Sequence, residues 1–265
     1  MERTALVTGA SSGIGLATAA ALVSRGYRVL GTSRDPGTVK NPVAGVEYLA
    51  LDLTDDASIE ALAPTLRTVD VLVNNAGESQ SGPFEELPMD ALRRLFQVNV
   101  LGPVRLAQLA LPGMRTRGYG RVVMVGSMLA SFPLSYRSSY VATKAAIKGF
   151  ANGARHEYSP FGVWLTTVEP GSINTGISER RTRYIADDSP HRADFDRMLT
   201  ALDRNEKAGI SAGQVADTIV TAIEADKPRQ RYAVGSNAPF VFALRRVVPA
   251  GLVEKITHRK HDLSR

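Results

Sequence analysis

Tyr140 and Lys144 stand four residues apart in the run Ser139-Tyr140-Val141-Ala142-Thr143-Lys144, and Ser127 precedes the tyrosine by thirteen. Four positions is about one helical turn, so a helix here puts the phenol and the ammonium on one face. A free phenol titrates at about 10 and exchanges protons poorly near neutrality. A cation held beside it favours the phenolate and brings proton transfer towards working pH. Tyr136, Ser138 and Ser139 offer competing hydroxyls, but only Tyr140 has a lysine four positions on. Such a pair also arises by chance on surface helices. A phosphate-binding loop near the start of the chain gives it weight.

That loop is Thr8-Gly9-Ala10-Ser11-Ser12-Gly13-Ile14-Gly15. It follows the short apolar run Thr4-Ala5-Leu6-Val7, which reads as a buried strand, and precedes the Ala/Leu-rich stretch from Leu16 to Arg25, which reads as a helix. Strand, glycine turn and helix form the setting that a dinucleotide site requires. Glycines let the backbone approach a pyrophosphate, and the helix N-terminus faces its negative charge. Gly9, Ser11, Ser12, Gly13, Ile14 and Gly15 are the candidate contacts. Their spacing is G-x-x-x-G-x-G rather than G-x-G-x-x-G.

The elements that must position these groups follow from periodicity. Strand-like runs recur at Ala5-Val7, Arg28-Gly31, Glu47-Ala50, Val69-Val73, Arg121-Val125, Val163-Val168 and Arg231-Val234, with helix-like stretches between most of them. Near-continuous apolar strands alternating with helices imply a parallel sheet covered on both faces. Right-handed crossovers make it an α/β, doubly wound, Rossmann-type domain of seven mostly parallel strands. Ligands in such sheets bind at the carboxyl ends of the strands, just where the glycine loop, Arg34, Asp52, Asn74, Ser127 and Pro170 fall. Residues 1–236 are assigned to this domain, including a less regular, charge-rich loop at about 172–209. A helical pattern from Pro88 towards Leu111 should be bent by Gly102 and Pro103, with Pro112, Gly113 and Gly118 to Gly120 marking its end. Residues 237–265 form an amphipathic extension expected to pack on the same domain.

Composition narrows the function classes. The 265 residues contain no cysteine, which excludes disulfides and thiol catalysis. The net charge is +6, but the arginines are scattered, so a basic surface suited to an anionic cofactor is expected rather than nucleic-acid binding. His156, His191, His258 and His261 have no metal-ligand spacing and are expected on the surface. No apolar run reaches the ~18 residues of a membrane span. The first seven residues lead directly into a strand, leaving no room for a signal peptide, so a cytoplasmic protein is expected.

The chain resembles the short-chain dehydrogenase/reductase family. The resemblance is carried by the glycine loop, Asp52-Leu53, Asn74-Asn75-Ala76-Gly77, Asn99, Ser127, Tyr140-x-x-x-Lys144 and Pro170-Gly171, in order over residues 1 to about 230. It implies NADP(H)- or NAD(H)-dependent hydride exchange at a carbonyl or carbinol carbon. Tyr140 would be the proton donor or acceptor, Ser127 the partner of the substrate oxygen, and Lys144 the holder of the nicotinamide ribose. Asn99 would anchor a water leading from Lys144 to solvent. Asp52 and Leu53 would lie by the adenine; Asn75, Ala76 and Gly77 by the ribose; Pro170, Gly171, Ile173 and Thr175 by the nicotinamide. The pair Gly126-Ser127, where many relatives read Ser-Ser, is familiar among steroid-active members.

Cofactor choice turns on the second strand end, Thr32-Ser33-Arg34-Asp35. NAD recognition places a carboxylate near Ser33 for the ribose hydroxyls. Serine stands there and Arg34 follows, a guanidinium able to clamp a 2′-phosphate. NADP(H) is therefore expected, with Asp35 the competing carboxylate if the strand runs one or two residues further. Ile177, Tyr184, Ile185, Phe195, Met198 and Leu199 suggest a pocket for an apolar or bulky carbonyl compound. Arg180, Arg181, Arg183, Arg192 and Arg197 leave an acidic substrate open. The C-terminal extension could be a lid, a subunit contact or a peripheral membrane contact. The family analogy implies a homo-dimer or homo-tetramer. Two competing readings are a catalytically silent NADP-binding regulator on the same fold and a sugar-nucleotide epimerase.

Overall fold

A computed structural model describes residues 2–176, 179–245 and 247–263. Seven strands form one parallel sheet: β1 (Thr4–Val7), β2 (Arg28–Ser33), β3 (Val46–Ala50), β4 (Val71–Asn74), β5 (Gly120–Val125), β6 (Val163–Pro170) and β7 (Arg231–Val234). Their spatial order is β3-β2-β1-β4-β5-β6-β7. The order reverses between β1 and β4, and there the crevice for a ligand opens above the carboxyl ends. All seven strand-like runs of the sequence became sheet strands.

The central strands are buried on both faces, which is why their sequences are continuously apolar. Leu6, Leu72, Val122 and Leu165 point to one side. There they pack with α2 (Asp56–Ala61), α3 (Ala63–Leu66), α5 (Gly102–Arg117) and α6 (Ser138–Tyr158). Ala5, Val7, Val73, Val123 and Val168 point to the other. They meet Ala19 and Leu22 of α1 (Gly13–Ser24), and Val215 and Ile219 of α8 (Ala212–Glu224). Ser211 begins α8 with a capping box closed by Gln214.

The stretch from Pro88 is interrupted as its glycine and proline require. It forms α4 (Met89–Phe96), one π-helical turn over Gln97–Leu101, and then α5. Pro103 sits at the start of α5, where its missing N–H is tolerated. Of the expected end markers, Pro112 and Gly113 lie inside α5, which continues to Arg117, and Gly118, at φ 69°, terminates it in the left-handed region. Leu106, Ala110, Leu111 and Met114 are buried along this helix, and their packing outweighs the hydrogen bond that Pro112 cannot make.

The segment beyond β6 is more ordered than its charge content suggests. Residues 173–174 pair with 210–211 and residues 182–183 with 80–81, all parallel. A sixteen-residue helix, α7 (Arg192–Lys207), follows. Its buried Phe195, Met198, Leu199 and Leu202 lie at i, i+3, i+4 and i+7, a helical period already present in the sequence. The C-terminal residues form α9 (Ala238–Leu244) and α10 (Ala250–Arg259). Phe242 packs edge-on against Phe132 at 5.1 Å between centroids, and His258 Nε2 lies 2.7 Å from Ser135 Oγ. Among the described residues no helix is long and apolar enough to cross a membrane.

Gly113 marks the closest helix contact. A Cβ there would lie 2.0 Å from the carbonyl oxygen of Arg67, just past the end of α3. Gly113→Ala must separate α5 from α3 and is expected to lower stability by about 1–3 kcal/mol, measured by urea unfolding. Gly149→Ala, whose Cβ meets nothing within 4 Å, is the control expected to show no loss.

Candidate active site

A cavity of about 770 Å³ opens at the carboxyl ends of the strands. One wall is the glycine loop. Gly9 and Gly13 have φ of 66° and 55°, backbone that residues with a Cβ seldom adopt. Gly15 faces away from the cavity: a Cβ on it would lie 2.2 Å from the Gly9 oxygen and 2.5 Å from Asn75 Nδ2. It lets the loop fold onto the end of β4. Thr8 completes that junction. Its hydroxyl accepts from the backbone N–H of Asn75 (2.9 Å) and Ala76 (3.0 Å), while Asn75 Nδ2 donates to the Thr8 carbonyl (2.9 Å).

At the end of β2, Ser33 and Arg34 line the cavity. Asp35 does not: its carboxylate accepts from Gly37 N at 3.0 Å and caps the short turn Pro36–Thr38. Ser33 Oγ donates to the Asp35 carbonyl at 3.2 Å. Asp52 accepts from the N–H and the hydroxyl of Thr54 (2.9 and 2.7 Å). Those two bonds, with smaller help from Arg34 and Arg94, hold its carboxyl below the usual carboxylate range. Asp52 is thus an ionised acceptor at neutral pH.

Helix α6 brings Tyr140 and Lys144 to the cavity on one buried face. Lys144 Nζ donates to the Val125 carbonyl at the end of β5 (2.9 Å) and lies 5.6 Å from the Tyr140 ring centroid. Ser127, two residues beyond β5, also lines the cavity. Its Oγ accepts from Leu129 N at 3.1 Å, so it both starts a turn and presents a hydroxyl to the site. Asn99, in the π turn, stands behind the wall. Its Oδ1 accepts from Glu78 N (2.8 Å), and its Nδ2 donates to the Glu78 carbonyl (3.0 Å) and to Thr143 Oγ1 (3.2 Å). The side chain is therefore spent on the chain after β4 and on α6. Its backbone carbonyl receives no i+4 donor, because residue 103 is proline. Gly77 fits between these groups; a Cβ there would lie 3.0 Å from Asn99 Oδ1 and 3.8 Å from Lys144 Nζ.

The residues read from sequence as cofactor contacts all line this cavity except Gly15; Pro170, Gly171, Ile173 and Thr175 close its far side. The substrate lobe departs from expectation. Phe195, Met198 and Leu199 are core residues packed with Leu134 and Leu202, and Ile185 lies against them. Tyr184 covers Gly82. None of these five lines the cavity, whereas Thr182, Leu202 and Glu206 do. Ile177 lies outside the described residues.

Four of the five arginines proposed for an acidic substrate are directed elsewhere. Arg181 binds Asp203 and Glu206, each at 2.7 Å. Arg183 and Arg192 face Asp203 and Asp187, and Arg197 pairs with Asp194. Arg180 does line the cavity, donating to Ser12 Oγ across the glycine loop at 3.2 Å.

Two features escaped the sequence reading. Arg137 is buried against Tyr140, and Lys148 joins Ser131 (2.7 Å) to the fully buried Glu169 (3.1 Å) beneath Gly126. The i+4 spacing of Lys148 from Lys144 was the only available signal for the latter. The expectation that all histidines lie on the surface also fails. His261 is buried and lines the cavity, with Nδ1 on the Thr257 carbonyl at 2.8 Å. No metal-binding cluster exists among the described residues.

Comparison with known proteins agrees with this geometry. A family model described as short chain dehydrogenase matches residues 3–185. The human 17-beta-hydroxysteroid dehydrogenase type 1 is 36% identical over 255 residues, covering 88% of this chain and 77% of that protein. The crystal structure of a short-chain dehydrogenase from Streptomyces avermitilis superposes with a TM-score of 0.82 at 34% identity, covering 98% of this chain and 97% of the other. A short-chain dehydrogenase from Sphingobium yanoikuyae in complex with NADPH gives 0.74 at 26% identity, covering 94% of each chain.

Burial pushes the His261 imidazole below its ordinary value, with the Thr257 carbonyl opposing. The folded state thus resists protonation, while the unfolded chain takes it up at about 6.5. The sign is a loss of stability as pH falls through and below that value. Melting curves at pH 7.5 and 5 should show a drop that is smaller in His261→Gln than in the unaltered protein.

Proposed function

The chain belongs to the short-chain dehydrogenase family, and on that premise we propose that it is an NADP(H)-dependent oxidoreductase. It interconverts a ketone or aldehyde and the corresponding alcohol on a bulky, largely apolar substrate. The observation that carries this reading is a convergence. Tyr140 and Lys144 from α6 and Ser127 from the end of β5 border the same cavity as the glycine loop.

The residues present fit a nicotinamide dinucleotide. The loop at Gly9 and Gly13 leaves a cradle without side chains at the N-terminus of α1, suited to a pyrophosphate. Asp52 and Leu53 would hold the adenine, Asn75 to Gly77 the ribose, and Pro170 to Thr175 the carboxamide end. NADP(H) is favoured over NAD(H) because the end of β2 presents Ser33 and Arg34, and Asp35, the carboxylate that follows them, is engaged by Gly37. The NADPH bound to the Sphingobium yanoikuyae relative points the same way.

When bound, the nicotinamide supplies or accepts the hydride. In the reducing direction Tyr140 gives its hydroxyl proton to the substrate oxygen; in the oxidising direction its phenolate removes the alcohol proton. Ser127 donates a hydrogen bond to that same oxygen as charge develops on it. Lys144 has three N–H donors and gives one to Val125, leaving two for the ribose and the cavity. Asn99 fixes Lys144 indirectly, through Thr143 on the same helix. Met128, Leu129, Phe132 and Val241 provide apolar walls. The C-terminal helices contribute Val241, Ile256 and Lys260 to the cavity, which favours a lid among the roles left open for them. A homo-oligomer in the cytoplasm belongs to the same reading, with exposed Leu101 and Phe150 as its candidate contact.

Two measurements test the assignment. Tyr140→Phe should reduce NADPH-dependent turnover of a carbonyl panel by about 10²–10⁴-fold, while NADPH still raises the melting temperature. Substantial turnover in that variant would remove Tyr140 from the reaction. Ser33→Asp should shift the ratio of NADPH to NADH use towards NADH by about tenfold or more. An unchanged ratio would contradict the role given to the end of β2.

A further inference from the structure

Arg137 precedes Tyr140 by three residues, at the start of α6. Its side chain is buried, with 3% of the residue exposed, and its guanidinium carbon lies 4.4 Å from the Tyr140 ring centroid. Nη1 donates to Ser79 Oγ (3.0 Å), the Gln80 carbonyl (3.1 Å) and Ser81 Oγ (3.0 Å). All three acceptors are uncharged. Neither Nε, which is sealed from solvent, nor Nη2 has a protein acceptor among the described residues. The carboxylates of Glu206 and Asp203 favour the guanidinium through space but contact Arg181, which opposes it. Yet Arg137 lines the cavity.

This is an odd way to build a structural contact. Three neutral acceptors need a donor, not a charge, and a neutral amide would serve them. A guanidinium removed from water without a carboxylate in contact is strongly unfavourable unless something compensates it. Burial lowers its pKa to about 10, so it remains a cation at neutral pH. Its planar fork is suited to carboxylate oxygens. Met128, Leu129, Phe132 and Leu202 give this lobe apolar walls, beside the polar Thr182 and the Glu206 carboxylate that Arg181 contacts.

We propose that Arg137 binds an anionic oxygen of the substrate. The substrate is then an amphiphilic keto acid, or its hydroxy acid, whose carboxylate lies a few bonds from the carbon at Tyr140. The apolar body occupies the lobe, and the carboxylate meets the guanidinium that flanks the phenol. The identification as a substrate rests on the oxidoreductase reading above; the anion site itself does not.

Binding and turnover separate the two. Calorimetric titration of the protein with 4-phenylbutanoate and with 4-phenylbutanamide, neither of which has a reducible ketone, reads the site without chemistry. The acid should bind about tenfold or more tightly than the amide. Arg137→Met should abolish that difference, and Arg137→Lys should retain part of it. Equal binding of acid and amide to the unaltered protein overturns the proposal without recourse to any variant, as does a preference that survives in Arg137→Met. In turnover, 4-oxo-4-phenylbutanoate should exceed its methyl ester in kcat/KM by a similar factor, through KM rather than kcat. Turnover of neutral ketones with no preference for the acid would sink the keto acid assignment and leave the reductase reading standing. Binding of the acid through Arg137 with no carbonyl turnover would leave the anion site standing and remove the reductase reading.

Discussion

One buried hydrogen bond organises the groups proposed to react: Lys144 Nζ to the Val125 carbonyl at the end of β5. An ammonium inside a protein must be satisfied, and here the sheet supplies only one acceptor. That bond pins α6 against the carboxyl end of the sheet and fixes the height of Tyr140 one turn away. It also aims the remaining donors of Lys144 into the cavity. Thr143 extends the restraint, donating to the Tyr140 carbonyl (2.8 Å) and accepting from Asn99 (3.2 Å). A helix held at consecutive residues cannot rotate, so the phenol and the ammonium keep their common face.

The π turn before α5 serves the same end. Pro103 removes one helical donor, and the wider turn places Asn99 where its amide reaches Glu78 on one side and Thr143 on the other. A regular helix through this point would carry Asn99 to a different azimuth. Glycine at 77 is required by the same crowding, since the amide and the ammonium both approach its Cα. The sequence thus uses one proline, one glycine and one asparagine to join the end of β4, α5 and α6.

The cofactor half of the cavity was legible in the sequence because its constraints are local. A glycine turn, a strand followed at once by a helix, and an arginine directly after a strand end are all written within a few residues. The central strands were recognisable for a similar reason, since burial on both faces leaves an unbroken apolar run. The substrate half was not legible. Its walls come from residues 128–137, 182, 202–206 and 241–261, and only the fold brings them together. The apolar residues of α7 were taken for pocket because hydrophobicity alone does not distinguish a pocket wall from a core. Their i, i+3, i+4, i+7 spacing already favoured a helix with one buried face, and three of them pack there against Leu134.

Charge tells the same story more sharply. Arginines crowd residues 180–197, and a sequence reader assigns the crowd to an acidic ligand. In the fold most of them are neutralised locally, Arg181 by two carboxylates on α7. Arg137, a lone arginine in a serine-rich run, is a buried cation with no carboxylate in contact. What marks it is burial among neutral acceptors at the wall of the cavity, a property of the assembled structure and of no short stretch of sequence. Its place beside Tyr140 means that the same helix start that delivers the phenol to the cavity also delivers a positive charge to the wall next to it.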